Sequence, residues 1–581
     1  MSGALGSSNR SGMGMVPPWP ELVHPWRRPG AVRYGLARLW SILRPPITIH
    51  QPAPGTLHVE RDVAAVVRDG TVLRVNVHRP PGPGPFPVIL SAHPYGKDSV
   101  PARSSRGHRL PVQYRLMRQP TPIATSSLTG WEAPDPVWWV AQGYAVVNAD
   151  LRGAGTSGGT GTLLSDREGE DVHDLVEWAA RQPWSSGGVG LLGVSYLALS
   201  QYKAAALHPP GLRAICPWEG FTDAYRDLFT PGGVYENGFA SLWSRIITRS
   251  VRLTVALPRQ RRRHPLRDGW WQSLVPELAA IEVPMLVCAS FSDNCVHSRG
   301  SFRAFEQVGS SDRFAYTHRG GKWDTFYGAP ARQAQLAFFE RYVRGVDVAA
   351  PPRVRLEVRE DRDRIVEVRE ESAWPLASTR WTRLHLASGG ALTLAAPHRA
   401  GTLTFDPRRQ AAAFTWRVAA DVELTGPMAA TVWVETHGAP DADLVIGVEK
   451  WRSGRYVPFE GSYGWGRDRV CTGWQKVSLR RLDTAGSTPY APVPTLRHPQ
   501  PVGPGEVVAV AVALGPSATR FRAGECLRLV VAGRWLSTRN PFTGQFPGHY
   551  RTRSPRRLTL HWGPDRPAHL LVPDVPIGAG S

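Results

Sequence analysis

The sequence predicts a mostly parallel β-sheet with helices on both faces, followed by an all-β region. Three observations predict it. Between about 57 and 345, short apolar runs bounded by Gly, Pro or polar residues recur, as strands buried on both faces do. Helix-like stretches stand between these runs, and strands alternating with helices make βαβ units. After about 350 the helical periodicity stops and strand-length pieces separated by Gly- and Pro-rich turns take over.

Taken in order, the chain opens with a Gly/Ser-rich and then Pro-rich stretch that lacks the basic start and apolar run of a secretory signal. Residues 1–56 are expected to form an N-terminal extension, disordered over 1–17. Within it, Val32, Leu36, Leu39, Trp40 and Leu43 fall near helical spacing, with Arg33, Arg38 and Arg44 between them. A basic helix lying on a membrane would show this pattern, as would a helix packed on the main domain; the short length and the Pro45-Pro46 stop favour the second. The buried strands are then PVILSA (87–92), YAVVNAD (144–150), GVGLLGV (188–194), LRAICP (212–217), VPMLVCAS (283–290) and RFAYTH (313–318). DREGEDVHDLVEWAARQP opens acidic and ends at a Pro, as a helix should. Residues 219–280 break the alternation. They are rich in Trp and Arg, show no buried-strand signature, and are expected to be a helical cap inserted into an α/β domain of residues 57–218 and 281–350. The RQRRRH run at 259–264 in that insertion reads as a solvated loop. Residues 351–581 are expected to form an all-β jelly roll.

The length of 581 residues exceeds what one hydrophobic core supports. Hydrophobic residues at 42% and charged residues at 20% exclude a fibrous or wholly disordered chain. No apolar run approaches the roughly 18 residues of a membrane span, so no integral membrane span is expected. A net charge of +21 keeps an anionic partner in view, but no zinc-finger spacing or other nucleic-acid motif accompanies it, so no specific nucleic-acid partner is expected. The five cysteines are scattered, without a CxxC pair, which argues against a zinc site or disulfide scaffold and for the reducing cytoplasm.

The chemistry centres on GVGLLGVSYLALSQ, where a buried strand runs into Gly193-Val194-Ser195-Tyr196 and a helix follows. That is the strand–turn–helix context of an exposed serine nucleophile; the second glycine of G-x-S-x-G is replaced by Leu197. An ordinary N-cap serine fits the same residues. A nucleophilic serine needs a base, and the base an orienting acid. In α/β-hydrolases the chain order is Ser, acid, His, each after a strand. Asp293 follows the strand VPMLVCAS and His318 ends the strand RFAYTH, so both sit at the sheet edge where ligands bind. His297 rivals His318 but lies beyond the acid on the following helix; Asp324 rivals Asp293 but has no strand before it. The oxyanion needs aimed donors: the N–H of Tyr196, and one from the loop His93–Asp98, whose candidate is the hydroxyl of Tyr95. The glycine-rich loop 150–158 lacks a phosphate-cradling spacing and reads as a structural turn.

The pieces HPYGKD, DLRGAGTSGG, GVSY, FTDAYRDLFTPGGVY, SFSDN, THRGGKW, PGEVVAVAVAL and FRAGECLRLVVAG resemble the CocE/NonD hydrolases, the family of cocaine esterase, α-amino-acid ester hydrolases and X-Pro dipeptidyl-peptidases. They span residues 87–535. The resemblance implies an α/β-hydrolase domain, a helical cap and a C-terminal jelly roll. It implies Ser195 as nucleophile, His318 as base, Asp293 as its orienter, and Tyr95 with the Tyr196 N–H as oxyanion hole. One departure is Ala198, where the family commonly has Gly, for which a slight shift in helix packing is expected.

The expected activity is cleavage of a small-molecule ester, or amide, through an acyl-enzyme, with no metal or organic cofactor. Trp218, Tyr225, Phe229 and Tyr235 are candidates to line an apolar pocket. An X-Pro dipeptidyl-peptidase or acylase ranks second; the former needs carboxylates for the substrate's amino group, and Glu219 and Asp223 could supply them. A non-catalytic basic binding protein is a remote third. The sequence leaves a homo-oligomer open.

Overall fold

The computed structural model describes residues 36, 39–40, 43–105, 107–110, 114, 121–461, 468–537 and 548–577. The expected disorder of residues 1–17 lies outside them. The central sheet begins with β1 (His58–Val66) and β2 (Val72–Arg79), an antiparallel pair. Next come β3 (Phe86–His93), β4 (Ala145–Asp150), β5 (Ser185–Val194), β6 (Leu212–Trp218), β7 (Met285–Ser290), β8 (Arg313–His318) and β9 (Val354–Asp361). Their spatial order is β1-β2-β4-β3-β5-β6-β7-β8-β9, and every pairing from β4 onward is parallel. The interior of this sheet is almost fully apolar (Val88, Leu90, Val147, Leu191, Ile215, Val287) because helices cover both faces.

The helices that position the site are α1 (Asp166–Ala180), α2 (Tyr196–Ala205), α3 (Phe239–Ser250), α4 (Ser298–Gln307) and α5 (Lys322–Phe326). Ser165 caps α1, its hydroxyl accepting from the Glu168 N–H, with Asp166 and Glu168 in the first turn where the helix dipole favours them. Residues 219–280 fold as α3, shorter helical pieces and one short strand, Tyr235–Glu236, that pairs antiparallel with Tyr550–Arg551; β6 stands before them and β7 after. The arginine run differs in part: Arg259, Arg262 and Arg263 are exposed as expected, but Leu257–Arg263 is helical, and Arg261 is buried with its guanidinium over the ring of Tyr235. A cation laid on an aromatic face tolerates burial that a bare one would not. The N-terminal stretch also differs from expectation. Leu36, Leu39, Trp40 and Leu43 are exposed, so these four do not pack on the main domain.

After β9 the chain is β-rich, and long strands such as β10 (Val422–His437) and β11 (Val507–Phe521) pair antiparallel over a second apolar core that includes Leu424, Val432, Ile446, Val510 and Leu529. Strand β9 touches both regions: it pairs with β8 at Ala315↔Val354 and meets β11 at Arg359↔Thr519. Among the described residues no helix is long and apolar enough to cross a membrane.

Candidate active site

Ser195 stands at the C-terminal end of β5 with φ 58° and ψ −113°, a backbone that L-residues adopt only under constraint. The turn is held by the Ser195 N–H donating to the Trp218 carbonyl (3.0 Å) and the Val194 N–H to the Glu132 carbonyl (3.0 Å). It is also crowded: a Cβ on Gly193 would lie 2.3 Å from the Leu197 Cβ. Gly193 is therefore required, and Leu197 fills the space left by the motif's second glycine. Ala198 is accommodated because Gly220 faces it; a Cβ there would come within 2.8 Å of the Ala198 methyl.

Two carboxylate–histidine pairs lie beside one another at this edge, and the structure corrects which of them meets the serine. The Ser195 Oγ lies 3.2 Å from His297 Nε2, and His297 Nδ1 lies 2.5 Å from Asp293 Oδ2. His318 makes no hydrogen bond to Ser195; its Nε2 lies 3.1 Å from Glu219 Oε1, and its Nδ1 accepts from the Gly320 N–H at 3.1 Å. The reason is local. After β7 the chain turns tightly, with the N–H groups of Val296, His297 and Ser298 all directed at the Asp293 carbonyl. That winding brings a histidine four residues after the acid onto the acid's own side, whereas His318 is still within β8 and faces Glu219 at the start of the insertion.

Lys322, in the first turn of α5, joins the two pairs. Its buried Nζ lies 3.0 Å from Asp293 Oδ2, 3.4 Å from Glu219 Oε2 and 3.0 Å from His297 Nδ1. Burial pushes the Asp293 carboxyl up, but the Lys322 and His297 charges outweigh it and hold it well below the usual carboxylate range. Glu219 is likewise lowered overall, burial being outweighed by Lys322 and His318. Burial, and then the Lys322 charge, lower the pKa of His297 from 6.5 and so favour the neutral imidazole.

Tyr95 follows β3 as expected. Its hydroxyl accepts from Trp243 Nε1 of α3 at 3.1 Å and lies beside the Glu132 carboxyl. Tyr196 is the first residue of α2, so its N–H has no acceptor within the helix. Its ring is anchored by the hydroxyl donating to the Glu168 carboxylate at 2.8 Å and stacks on Trp243 with centroids 6.1 Å apart. The glycine-rich loop is a structural turn: the Asp150 carboxylate accepts from the Lys97 and Thr156 N–H groups.

The remaining candidates fall elsewhere. Asp324 Oδ2 accepts from Thr121 at 2.6 Å. Of the four pocket aromatics, Trp218 is sunk in the sheet core against Tyr316 and Phe326, Tyr225 bonds the Pro265 carbonyl, and Tyr235 lies under Arg261. Phe229 alone of the four packs on Trp243. Glu219, Asp293 and His297 present ligand atoms close enough to hold a metal ion, as do Glu219, Cys288 and His318. In both sets Glu219 already serves the Lys322 ammonium, and burial pushes the Cys288 thiol well up, away from the thiolate a metal takes.

The sheet order and the constrained serine after β5 define a class, the serine α/β hydrolases with an appended β-domain. The family model for X-Pro dipeptidyl-peptidase (S15 family) matches residues 69–321, and that for the X-Pro dipeptidyl-peptidase C-terminal non-catalytic domain matches residues 346–571. A solved CocE/NonD family hydrolase from Staphylococcus aureus is 33% identical and superimposes with a TM-score of 0.84, covering 90% of this chain and 94% of that one. Cocaine esterase from Rhodococcus sp. (strain MB1 Bresler) is 25% identical over 90% of this chain and 99% of its own length. An α-amino acid ester hydrolase of known structure shares the fold at 17% identity and a TM-score of 0.66. The chain belongs to the CocE/NonD family of hydrolases, and it is a serine hydrolase.

Proposed function

We propose that the chain is an esterase in which Ser195 is the nucleophile, His297 the general base, and Asp293 the acid that orients it. Tyr95 and the Tyr196 N–H form the oxyanion hole. One observation carries this reading: the unbroken sequence Ser195 Oγ, His297 and Asp293, with contacts of 3.2 and 2.5 Å, on one sheet edge. His297 takes the serine proton as Oγ attacks the ester carbonyl, and returns it to the leaving alcohol. Water activated by the same imidazole then releases the acid. The Asp293 carboxylate keeps the imidazole's Nδ1 protonated and stabilises the imidazolium.

An ester fits better than an X-Pro amide substrate. The two carboxylates expected from the sequence to read a substrate's amino group are already occupied by the protein's own cations: Glu219 faces Lys322 and His318, and Asp223 binds Arg267 at 2.9 Å and Arg226 at 3.3 Å. The five free cysteines, four of them buried, suit a reducing compartment such as the cytoplasm as the place of action. The test is labelling by a fluorophosphonate together with assays on p-nitrophenyl esters and an X-Pro amide. Stoichiometric labelling that disappears in Ser195→Ala, with faster turnover of the esters, is expected. A wild-type protein that resists the label is a binding protein on a hydrolase scaffold, and the reading is then wrong.

A further inference from the structure

Glu132 is a buried carboxylic acid set at the reacting centre. It is 5% exposed, its backbone has φ 65°, and its Oε2 has no hydrogen-bond partner. A buried polar atom without a partner is costly and is retained at few places other than functional ones. Its carboxyl lies against three groups: the Tyr95 hydroxyl, the Ser195 hydroxyl and the Tyr196 N–H. These are the nucleophile and the two donors assigned to the oxyanion.

We propose that Glu132 is a further catalytic residue, a neutral carboxylic acid that donates a third hydrogen bond to the oxyanion formed at Ser195. The inference rests on the assignment of Ser195 as nucleophile. A substrate carbonyl oxygen entering between Tyr95 and the Tyr196 N–H displaces the carboxyl from those donors. The Glu132 O–H then has one new acceptor, the oxygen on which charge develops. A protonated acid strengthens that bond as the charge grows, whereas an ionised one would repel it.

The surroundings keep the acid neutral. Burial is the largest influence and pushes Glu132 up to about 8, against the Lys322 charge, which pulls it down. The other titratable groups facing it are Tyr95, Tyr114 and Tyr196, whose hydroxyls burial raises above 10, and Lys322, which stays positive. Among these, Glu132 alone changes charge as pH rises through 8.

The experiment compares Glu132→Gln and Glu132→Leu in the full chain, following ester turnover against pH and fluorophosphonate labelling. The glutamine keeps a donor that does not titrate, so kcat at pH 7 should stay within about tenfold and the alkaline fall near pH 8 should vanish. The leucine removes the donor and should lower kcat on the order of 10²–10³-fold. A Glu132→Leu enzyme as fast as wild type or faster would make the carboxyl an obstruction and overturn the proposal. An alkaline fall unchanged in Glu132→Gln would overturn it equally, and that profile decides alone if the leucine variant does not fold. Difference infrared spectra of wild type against Glu132→Gln should show a protonated carboxyl that disappears above pH 8. Labelling separates the two readings: without it the hydrolase assignment fails, and with it only the role of Glu132 is at stake.

Discussion

The Asp293–His297 and Glu219–His318 corners have almost the same parts. Each has a buried carboxylate, a buried histidine within hydrogen-bond distance, and the same Lys322 ammonium alongside. They differ in what meets the histidine's other side. His297 meets the hydroxyl of Ser195, held at φ 58° in a tight turn; His318 meets the Gly320 N–H. The hydroxyl in the second corner, Ser290, donates to Glu219 at 3.0 Å and lies within strand β7. A carboxylate–histidine pair is therefore not by itself a catalytic device. In the assignment proposed above, it becomes one when a strained turn delivers the Ser195 hydroxyl to it.

The sharpest way to break this comparison is to delete each histidine. His297→Ala should lower kcat/KM for an ester on the order of 10⁴-fold or more, and His318→Ala by less than about tenfold. The reverse result would return the base to His318. Next in size is Tyr95→Phe, which removes the hydroxyl proposed as an oxyanion donor; a loss of about 10²–10³ in kcat with little change in KM is expected from steady-state kinetics. Lys322→Met acts on both corners at once. It leaves two buried carboxylates with less positive charge, so thermal or denaturant unfolding should show a loss of about 3–5 kcal/mol. It also removes a charge that lowers the His297 pKa. The acid limb of the rate profile, below pH 6.5 in the wild type, should move to higher pH in the folded fraction. The smallest effect is on stability in His318→Ala, where Glu219 keeps Ser290 and Lys322 as partners; about 1–3 kcal/mol is expected.

The strands are legible in the sequence because burial on both faces writes continuous apolar runs, and the serine is legible because a strand, a Gly and a helix flank it. Asp293 and Tyr95 lie at the strand ends where expected. His297 is passed over because the usual chain order places the base after a later strand, and that rule outweighs a local one. Asp293 and His297 are four residues apart, and one tight turn suffices to join them. Lys322 and Glu132 leave weaker signals. A lysine at the start of a short helix and a glutamate in a Trp- and Pro-rich loop look like surface residues until the fold buries them. The arginine run misleads for the opposite reason, since no sequence pattern announces that Tyr235 will lie beneath Arg261.

Strand β9 carries a consequence for how the molecule can move. It continues the parallel ladder at β8 and meets β11, while nearby the buried Arg319 guanidinium reaches from the end of β8 to Ser517 and the Val470 carbonyl. The two apolar cores are thus stitched by backbone and side chain rather than joined by a hinge. Rocking one lobe against the other would tear that seam. A protein cut just before Val354 would be left with a raw sheet edge beside its catalytic strands.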